Sequence, residues 1–133
     1  MISPSRKLFL VAAIFGACLA LPAQAQESSA RKELKRIDMA EAPNMEIISS
    51  ITEYKPGDEL PRHMHNGTEM GYVVQGSTIQ VPGKDPMMLA TGAPLQNLRG
   101  VPHGGFKIVG PTSLVLFTVH IVDKGKPLYD TAK

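Results

Sequence analysis

The amino-acid sequence predicts an all-β domain, a sandwich or a small barrel. From residue 45 onward the chain is a series of short runs rich in Ile, Val and Thr, each bounded by Gly, Pro, Asn or Asp, which is typical of strands separated by turns. Helical periodicity is nowhere sustained there, and prolines spread from Pro56 to Pro127 would break any long helix. With 133 residues and no linker or internal repeat, one domain is the economical interpretation.

The first 25 residues are similar to a secretory signal peptide. A cationic start at Arg6 and Lys7 precedes the apolar run 8–21, and a small-residue cleavage site ends at Ala25. The run is short for a membrane span, which needs about 20 residues. An uncleaved anchor and lipid attachment at Cys18 are the alternatives. We therefore expect a periplasmic or secreted protein with no membrane association after cleavage.

Removing this segment changes the charge and the cysteine content. The formal charge of +2 belongs to Arg6 and Lys7, because all acidic residues follow Ala25. The remaining chain is formally neutral, which gives no support to a nucleic-acid partner or to binding of anionic membranes. The single cysteine, Cys18, leaves with the segment. Disulfides, a thiolate nucleophile and thiolate metal ligands are therefore excluded.

The rest of the chain divides into an N-terminal arm, residues 26–44, and a barrel domain, residues 45–133. In the arm, residues 31–39 are either a short helix or an edge strand with a solvated basic face. Met45–Tyr54 is the first strand, rich in Ile and Thr and closed by Pro56-Gly57. Further strands, each followed by a turn signal, are predicted at residues 62–65, 70–74, 77–81, 87–89, 106–109 and 113–123.

Two of the four histidines stand close together as His63 and His65, with Glu69 four residues beyond the second. In a strand, residues i and i+2 project from the same face, so both imidazoles can point at one ion. Asn66-Gly67 supplies a turn that would bring Glu69 back beside them. His103 follows Pro102 at a second turn, and only a closed sheet would bring it across.

Three neutral imidazoles and one carboxylate form a mixed nitrogen and oxygen ligand set. Such a set suits one divalent transition metal, Fe(II), Mn(II), Ni(II), Zn(II) or Cu(II), and leaves positions for water or substrate. The alternative is that the imidazoles merely hydrogen-bond inside a barrel.

These residues resemble the first motif of the cupin family, Gly-x5-His-x-His-x3-Glu-x6-Gly. The segment from Gly57 to Gly76 matches that motif at every fixed position. The second cupin motif, Gly-x5-Pro-x-Gly-x2-His-x3-Asn, aligns on Gly92, Gly100 and His103. Two positions depart from it, because Leu98 replaces the Pro and Lys107 replaces the Asn.

The resemblance implies a single small cupin β-barrel, jelly-roll-like and built from two antiparallel sheets, with a metal at the inner end of a cavity. In the family, the metal ligands occupy the positions of His63, His65, Glu69 and His103. Single-domain cupins commonly pair through their sheet edges, so we expect a homodimer.

Lys107 stands where the family usually has a neutral amide. If strand alternation continues from His103, Lys107 faces the cavity, where a buried ammonium needs Glu69 or an anionic substrate group as its partner. If the strand shifts by one residue, Lys107 reaches solvent. The further candidates for substrate contact, each with a purely structural alternative, are Tyr72, Gln75, Gln96, Asn97 and His120.

By resemblance, the function implied is that of an exported metalloenzyme acting on a small oxygenated organic substrate. A dioxygenase-type reaction is the first candidate, and isomerase or lyase chemistry is the second. Glu69 is the catalytic candidate, which would alternate between metal ligand and base. The rival is a non-catalytic periplasmic module that binds or senses a small molecule or a metal. The sequence carries no metalloprotease, serine-hydrolase, phosphate-loop or dinucleotide-binding motif.

Overall fold

The computed structural model describes residues 31–132, and every regular element among them is a β-strand. The predicted signal peptide lies outside the described residues. The strands are β1 (Arg31–Asp38), β2 (Met45–Tyr54), β3 (Glu59–Leu60), β4 (His63–Met64), β5 (Gly67–Gln75), β6 (Ser77–Gln80), β7 (Met87–Leu89), β8 (Pro94–Asn97), β9 (Phe106–Ile108), β10 (Leu114–Asp123) and β11 (Asp130–Thr131).

The strands form two main sheets and a short pair, all antiparallel. The large sheet has the order β1-β2-β10-β5-β8, and the small sheet has the order β3-β9-β6-β7. The strands β4 and β11 pair separately. The expected all-β fold with two antiparallel sheets is confirmed.

The two longest strands show why one face of the large sheet is turned inward. Along β10, ten residues alternate strictly between buried and half-buried, and β2 follows the same alternation over most of its length. A period of two is the spacing at which successive side chains of a strand reach opposite faces. The inner face of the large sheet is therefore set by every second residue of these strands.

The interior holds two apolar clusters. The larger joins both main sheets and consists of Tyr54, Val73, Ile79, Ile108, Leu114 and Leu116. The smaller consists of Ile48, Val122 and Leu128. Between them, the inner faces of β2 and β10 turn polar, and the hydroxyls of Ser50 and Thr118 lie 3.2 Å apart in a hydrogen bond. This polar belt is where the fold can place a binding site without breaking either apolar cluster.

The N-terminal arm contributes β1, so the edge strand is the alternative that the structure adopts there. β1 pairs with β2, with one irregularity between Glu33 and Lys35. Seven of its eight residues are exposed, and the Arg36 guanidinium lies 2.8 Å from Glu33 and 2.6 Å from Glu46. A charged edge of this kind discourages addition of another strand.

Glycine is required where two chain segments approach closely. A Cβ at Gly67 would collide with the backbone carbonyl of Ile121, so only glycine lets β5 begin this close to β10. Gly104 has a φ of +74°, and a Cβ there would lie 3.2 Å from Nδ1 of His63. Both glycines thus keep the backbone close around the histidines.

Within residues 31–132, the search for an apolar helix of membrane-spanning length finds none.

Candidate metal centre

Three histidines and one glutamate meet at one wall of the barrel interior. His63 begins β4, and His65 follows on the same buried side. An antiparallel bridge joins the backbones of His63 and His103, with N–H···O distances of 2.9 and 2.8 Å. Glu69 lies on the inner face of β5. Closure of the barrel through this bridge brings His103 to the residues of the first motif.

The donor atoms form a compact triangle. Nε2 of His65 and Nε2 of His103 are 3.1 Å apart, and Oε2 of Glu69 lies 3.3 Å from the first and 3.5 Å from the second. Ligand bonds of about 2.0–2.2 Å to one metal ion place neighbouring donors roughly 3.0–3.5 Å apart. A donor nitrogen of His63 lies within 4.8 Å of those of His65 and His103. The spacing is therefore that of ligands around a shared cation.

Backbone carbonyls fix the tautomer of these three imidazoles. Each Nδ1 contacts one carbonyl oxygen, that of Pro61 for His63 at 2.9 Å, of Leu128 for His65 at 2.6 Å and of Val101 for His103 at 2.9 Å. Since a carbonyl only accepts hydrogen bonds, each Nδ1 must carry the proton, which leaves Nε2 with a free lone pair in the neutral ring. Metal-bound histidines are normally oriented in this way.

The three atoms of the triangle are therefore hydrogen-bond acceptors that face one another with no hydrogen-bond donor between them. Two bare Nε2 atoms at 3.1 Å cannot hydrogen-bond to each other when both rings are neutral, and the carboxylate of Glu69 adds further lone pairs. A divalent cation satisfies all of them at once. The residues fit a transition metal held by His63, His65, His103 and Glu69.

The pKa values of His63 and His103 are shifted in opposite directions, because only His103 lies in contact with the Glu69 carboxylate. Burial lowers the pKa of His63 to about 4, so the ring is neutral at pH 7 and its lone pair is available. Burial also acts to lower the pKa of His103, but contact with Glu69 outweighs it and raises the pKa above the ordinary histidine value.

Glu69 is held in its ionised form. Burial acts to raise its pKa, but the contacts with His103, His120 and His65 outweigh burial and lower the pKa. The amide of Asn97, opposite Glu69 across β5 and β8, also donates to Oε2 at 2.6 Å. Because these neighbours keep its carboxylate ionised, Glu69 suits the role of a metal ligand better than that of a protonated acid.

A cavity of about 190 Å³ opens beside the ligands. His63, Glu69, Asn97 and His103 form its polar end. The remaining wall is mainly apolar and includes Leu60, Ile79, Leu89, Leu95, Phe106 and Leu116. Among residues 31–132, no lysine or arginine lines it. The arrangement can present a small, mostly apolar molecule to the metal ligands.

His120 lies behind Glu69, away from the cavity mouth. It is fully buried on the inner face of β10, with Nε2 3.3 Å from Oε1 of Glu69. Its ring centre is 4.7 Å from that of His65. His120 is not among the residues that line the cavity, but its donor nitrogen lies within 4.8 Å of donor atoms of His65 and Glu69, which makes these three a second group that could hold an ion.

The structure does not bring Lys107 to the cavity. Lys107 pairs with Glu59 across β9 and β3, and its ammonium lies 3.5 Å from the Glu59 carboxylate on the exposed side. Its neighbours Phe106 and Ile108 turn inward instead. The expectation that Lys107 faces the metal is therefore wrong, and the solvent-exposed alternative is the one observed.

Tyr72 and Gln75 also lie outside the cavity. Tyr72 is 49% exposed and stands opposite Phe117 on the outer face of the large sheet, the parity opposite to that of Glu69 and Val73. The amide of Gln75 donates to the carbonyl of Ser113 at the surface. Strand alternation excludes Tyr72 from the interior, and Gln75 is the exposed last residue of β5.

The sequence did not indicate that residues near the C-terminus complete the centre. Residues 124–131, the C-terminal strap, run past β4, where β11 pairs with it. Leu128 supplies the carbonyl for His65, and the Tyr129 ring lies edge-on to His63 and His65 at 5.0 and 5.2 Å between ring centres. The available signal in the sequence was the short run Pro127-Leu128-Tyr129 between Lys126 and Asp130.

Comparison with known proteins finds similarity in structure only. No protein-family model matches the sequence, and no curated protein matches it. Solved structures do match, each at less than 25% identity, so they establish the fold and not the activity.

Three of these structures illustrate the similarity. An uncharacterized conserved protein with a double-stranded beta-helix domain from Klebsiella pneumoniae is 17% identical, with a TM-score of 0.57 over 83% of this chain and 91% of that one. The polyketide cyclase RemF from Streptomyces resistomycificus is 20% identical, with a TM-score of 0.54 over 77% and 71%. The DMSP lyase DddQ from Ruegeria pomeroyi is 15% identical, with a TM-score of 0.51 over 65% and 43%.

This chain spans less than half the length of the DMSP lyases that it matches. The structural similarity nevertheless shows that the chain has the cupin fold, a double-stranded β-helix.

Proposed function

We propose that this chain is an exported metalloenzyme that acts on a small oxygenated organic molecule, by a dioxygenase-type reaction or by isomerase or lyase chemistry. One observation carries the proposal: three histidine Nε2 lone pairs and one carboxylate converge at the polar end of an otherwise apolar cavity. Binding sites for small molecules are commonly built in this way, from apolar walls and a few convergent polar groups.

Each residue has a definite task in this proposal. His63, His65 and His103 hold the metal through Nε2, while their backbone contacts keep the rings from turning. A divalent metal in this position supplies a Lewis acid for a substrate oxygen or, if it is iron, manganese or nickel, a centre for reaction with O2. The apolar wall excludes water and orients the carbon skeleton of the substrate.

Glu69 is the candidate for moving a proton. Its Oε2 faces His65 and His103 beside the cavity, and with a metal bound there the carboxylate would be placed to accept a proton from a substrate carbon or hydroxyl. Asn97, which donates to the same oxygen, limits how far the carboxylate can move.

The names of two structural neighbours are compatible with this class, since one is a polyketide cyclase and the other a DMSP lyase. Non-catalytic binding of a small molecule or metal by an exported sensor or carrier is the second candidate. The small cavity beside the candidate ligands supports this second candidate as well as the first, because a sensor or carrier needs a place to bind a molecule but no proton transfer.

Metal content is the first test. We expect chain purified without its first 25 residues, and incubated with Fe(II), Mn(II), Ni(II) or Zn(II), to retain about one ion per chain by elemental analysis. His63→Ala and His103→Ala should lose it, whereas Lys107→Ala should keep it, because Lys107 lies outside the cavity. Wild-type protein without metal after all four incubations would contradict the proposal.

Access to the metal separates an enzyme from a closed carrier. In the Mn(II) form, enhanced relaxation of water protons would show an exchangeable water on the ion, as an enzyme requires. Relaxation equal to that of a fully coordinated Mn(II) complex would favour the carrier. Consumption of O2 by the Fe(II) form with oxygenated test compounds then separates dioxygenase chemistry from isomerase or lyase chemistry.

Export is tested independently. Expressed from its first residue in a Gram-negative host, the protein should be recovered from the periplasm or medium with an intact mass that begins at Gln26. A cytoplasmic product that retains residues 1–25 would contradict export and leave the metal site unaffected.

A further inference from the structure

His120 and Glu69 are direct partners across two neighbouring strands. β10 and β5 pair with His120 opposite Glu69, and β5 and β8 pair with Glu69 opposite Asn97. The three side chains therefore form one row across the inner face of the large sheet. This row places one possible hydrogen-bond donor on each side of the carboxylate.

The two donors reach different oxygens. Nδ2 of Asn97 lies 2.6 Å from Oε2 of Glu69, the oxygen within the donor triangle, whereas Nε2 of His120 lies 3.3 Å from Oε1. Neither nitrogen of His120 makes a regular hydrogen bond within residues 31–132, although the ring has no exposed surface. A buried imidazole without a partner is destabilising, and Oε1 of Glu69 is an acceptor only 3.3 Å from Nε2 of His120.

The tautomer of His120 must then differ from that of the other three histidines. Pairing with Oε1 requires the proton on Nε2, which leaves the lone pair on Nδ1. In His63, His65 and His103, a backbone carbonyl places the proton on Nδ1 instead. No carbonyl binds Nδ1 of His120, so the orientation that normally accompanies a metal-bound histidine is missing there.

We infer that His120 is a positioning residue that holds Oε1 of Glu69 through an Nε2–H donor, so that Oε2 alone faces the metal. Together with Asn97 it clamps the carboxylate from both neighbouring strands. The inference rests on the proposed metal site and adds a residue that the cupin motifs do not contain. Its effect on the metal passes through Glu69.

Metal affinity gives the first test. The Zn(II) dissociation constant is measured by competition with a chromogenic chelator for the wild type, His120→Leu and His120→Gln. We expect His120→Leu, which removes the donor, to weaken binding about 10–100-fold, the range for residues that orient a ligand. His120→Gln, whose amide can still donate, should remain within about threefold of the wild type, well below the 10–100-fold loss expected of His120→Leu.

Leu114→Val is the matched control, because Leu114 is buried on the same face of β10 but belongs to the larger apolar cluster. It should lower the melting temperature without changing the dissociation constant. Equal affinity of His120→Leu and the wild type would overturn the inference.

A double-mutant cycle tests whether His120 acts through Glu69. In a Glu69→Ala background, which removes both oxygens, His120→Leu should have no further effect on Zn(II) affinity. Effects that add in full would show that His120 acts on the metal by itself and would overturn the inference.

The tautomer is read directly from wild-type protein by two-bond proton–nitrogen correlation of the histidine rings in the Zn(II) form. We expect a protonated Nε2 for His120, with protonated Nδ1 and metal-bound Nε2 for the other three. A metal-bound Nε2 at His120 would make it a fifth ligand and would refute the positioning role. This measurement decides the matter even if His120→Leu does not fold.

Failure of the two proposals can be told apart. Wild-type protein that binds no metal contradicts the proposed function. The proton–nitrogen spectrum of the metal-free protein then shows whether His120 donates to Glu69, because a hydrogen bond to Oε1 needs the proton on Nε2 with or without metal. Wild-type protein that binds metal but is insensitive to His120→Leu contradicts only the inference.

Discussion

His63 shows at the level of one residue how burial prepares a metal ligand. Its ring is enclosed by His65, His103 and Tyr129 and lies beside the backbone at Gly104. Burial disfavours the charged ring, and the contact of Nδ1 with the Pro61 carbonyl selects the tautomer. The result is a neutral donor that needs no deprotonation at pH 7, which favours metal binding.

The lowered pKa of His63 predicts how metal-free protein responds to acid. The folded pKa of about 4 lies below the ordinary value of 6.5, so the unfolded chain binds a proton more readily between these pH values. Unfolding is therefore favoured as pH falls from 6.5 to 4, by up to about 3 kcal/mol from this residue. Urea unfolding in the presence of a chelator, at several pH values, measures the effect.

The comparison with His63→Asn isolates this contribution, because His103 acts in the opposite sense. Contact with Glu69 raises the pKa of His103, which stabilises the folded state at low pH and loses that contribution as pH rises. The wild type should lose more stability than His63→Asn between pH 6.5 and pH 4. Parallel curves for the two proteins would show that His63 is not shifted.

At this scale the proximity of the four candidate ligands was predictable, whereas of the candidate substrate contacts only Asn97 lies at the cavity. The spacing of His63, His65 and Glu69 is local, and a strand-turn-strand geometry converts it directly into proximity. The orientation of Lys107 depends instead on its pairing with Glu59 in the two-residue strand β3, for which the sequence contains no strand signal. Local spacing predicts which nearby residues come together, but it does not identify a pairing partner that is distant in sequence.

Among the elements, most strands followed from sequence, both long and short, but three short strands did not. The bounds of Met45–Tyr54 and Met87–Leu89 agree with expectation, and β10 differs from it by one residue. The strands β3, β8 and β11 were not predicted. Each has two to four residues and few β-branched side chains, so its conformation is determined by the strand that it pairs with.

The C-terminal strap predicts a loss of metal affinity on truncation. Deleting residues 127–133 removes the Leu128 carbonyl that holds Nδ1 of His65 and the Tyr129 ring beside His63. We expect Zn(II) binding to weaken by about 10–100-fold, as for other contacts that orient a ligand. Competition with a chelator measures it.

The matched control ends the chain after Thr131 and keeps both contacts as well as the pairing of β11 with β4. Its affinity should equal that of the full chain. If the shorter deletion weakens binding as much as the longer one, the Leu128 carbonyl is not the group responsible.

For the whole molecule, bound metal should contribute to folding stability. The ligands come from β4, β5 and the segment before β9, so an ion that binds only the folded chain ties together both motifs. Metal at one hundred times its dissociation constant adds about 2.7 kcal/mol, or roughly 10–20 °C in melting temperature for a domain of this size. A melting curve unchanged after the metal has been stripped by chelator would contradict this.

The outer face of the large sheet supports the expected homodimer better than its edges do. Met70, Tyr72 and Val74 line one side of β5 and are 54%, 49% and 44% exposed, whereas the edge strand β1 is charged. We expect sedimentation equilibrium to show a dimer at micromolar concentration. Tyr72→Lys should shift it toward monomer and leave metal content unchanged, because Tyr72 lies outside the cavity; a monomeric wild type would refute the dimer.

The contact between His65 and the Leu128 carbonyl joins residues 63 positions apart. During synthesis, His63 and His65 leave the ribosome well before the residue that fixes the second ring. A growing chain therefore displays two histidines with freely rotating rings, and the oriented set exists only after Leu128 has been made. Any ion that these residues hold can therefore be bound with full affinity only after Leu128 has been added to the chain.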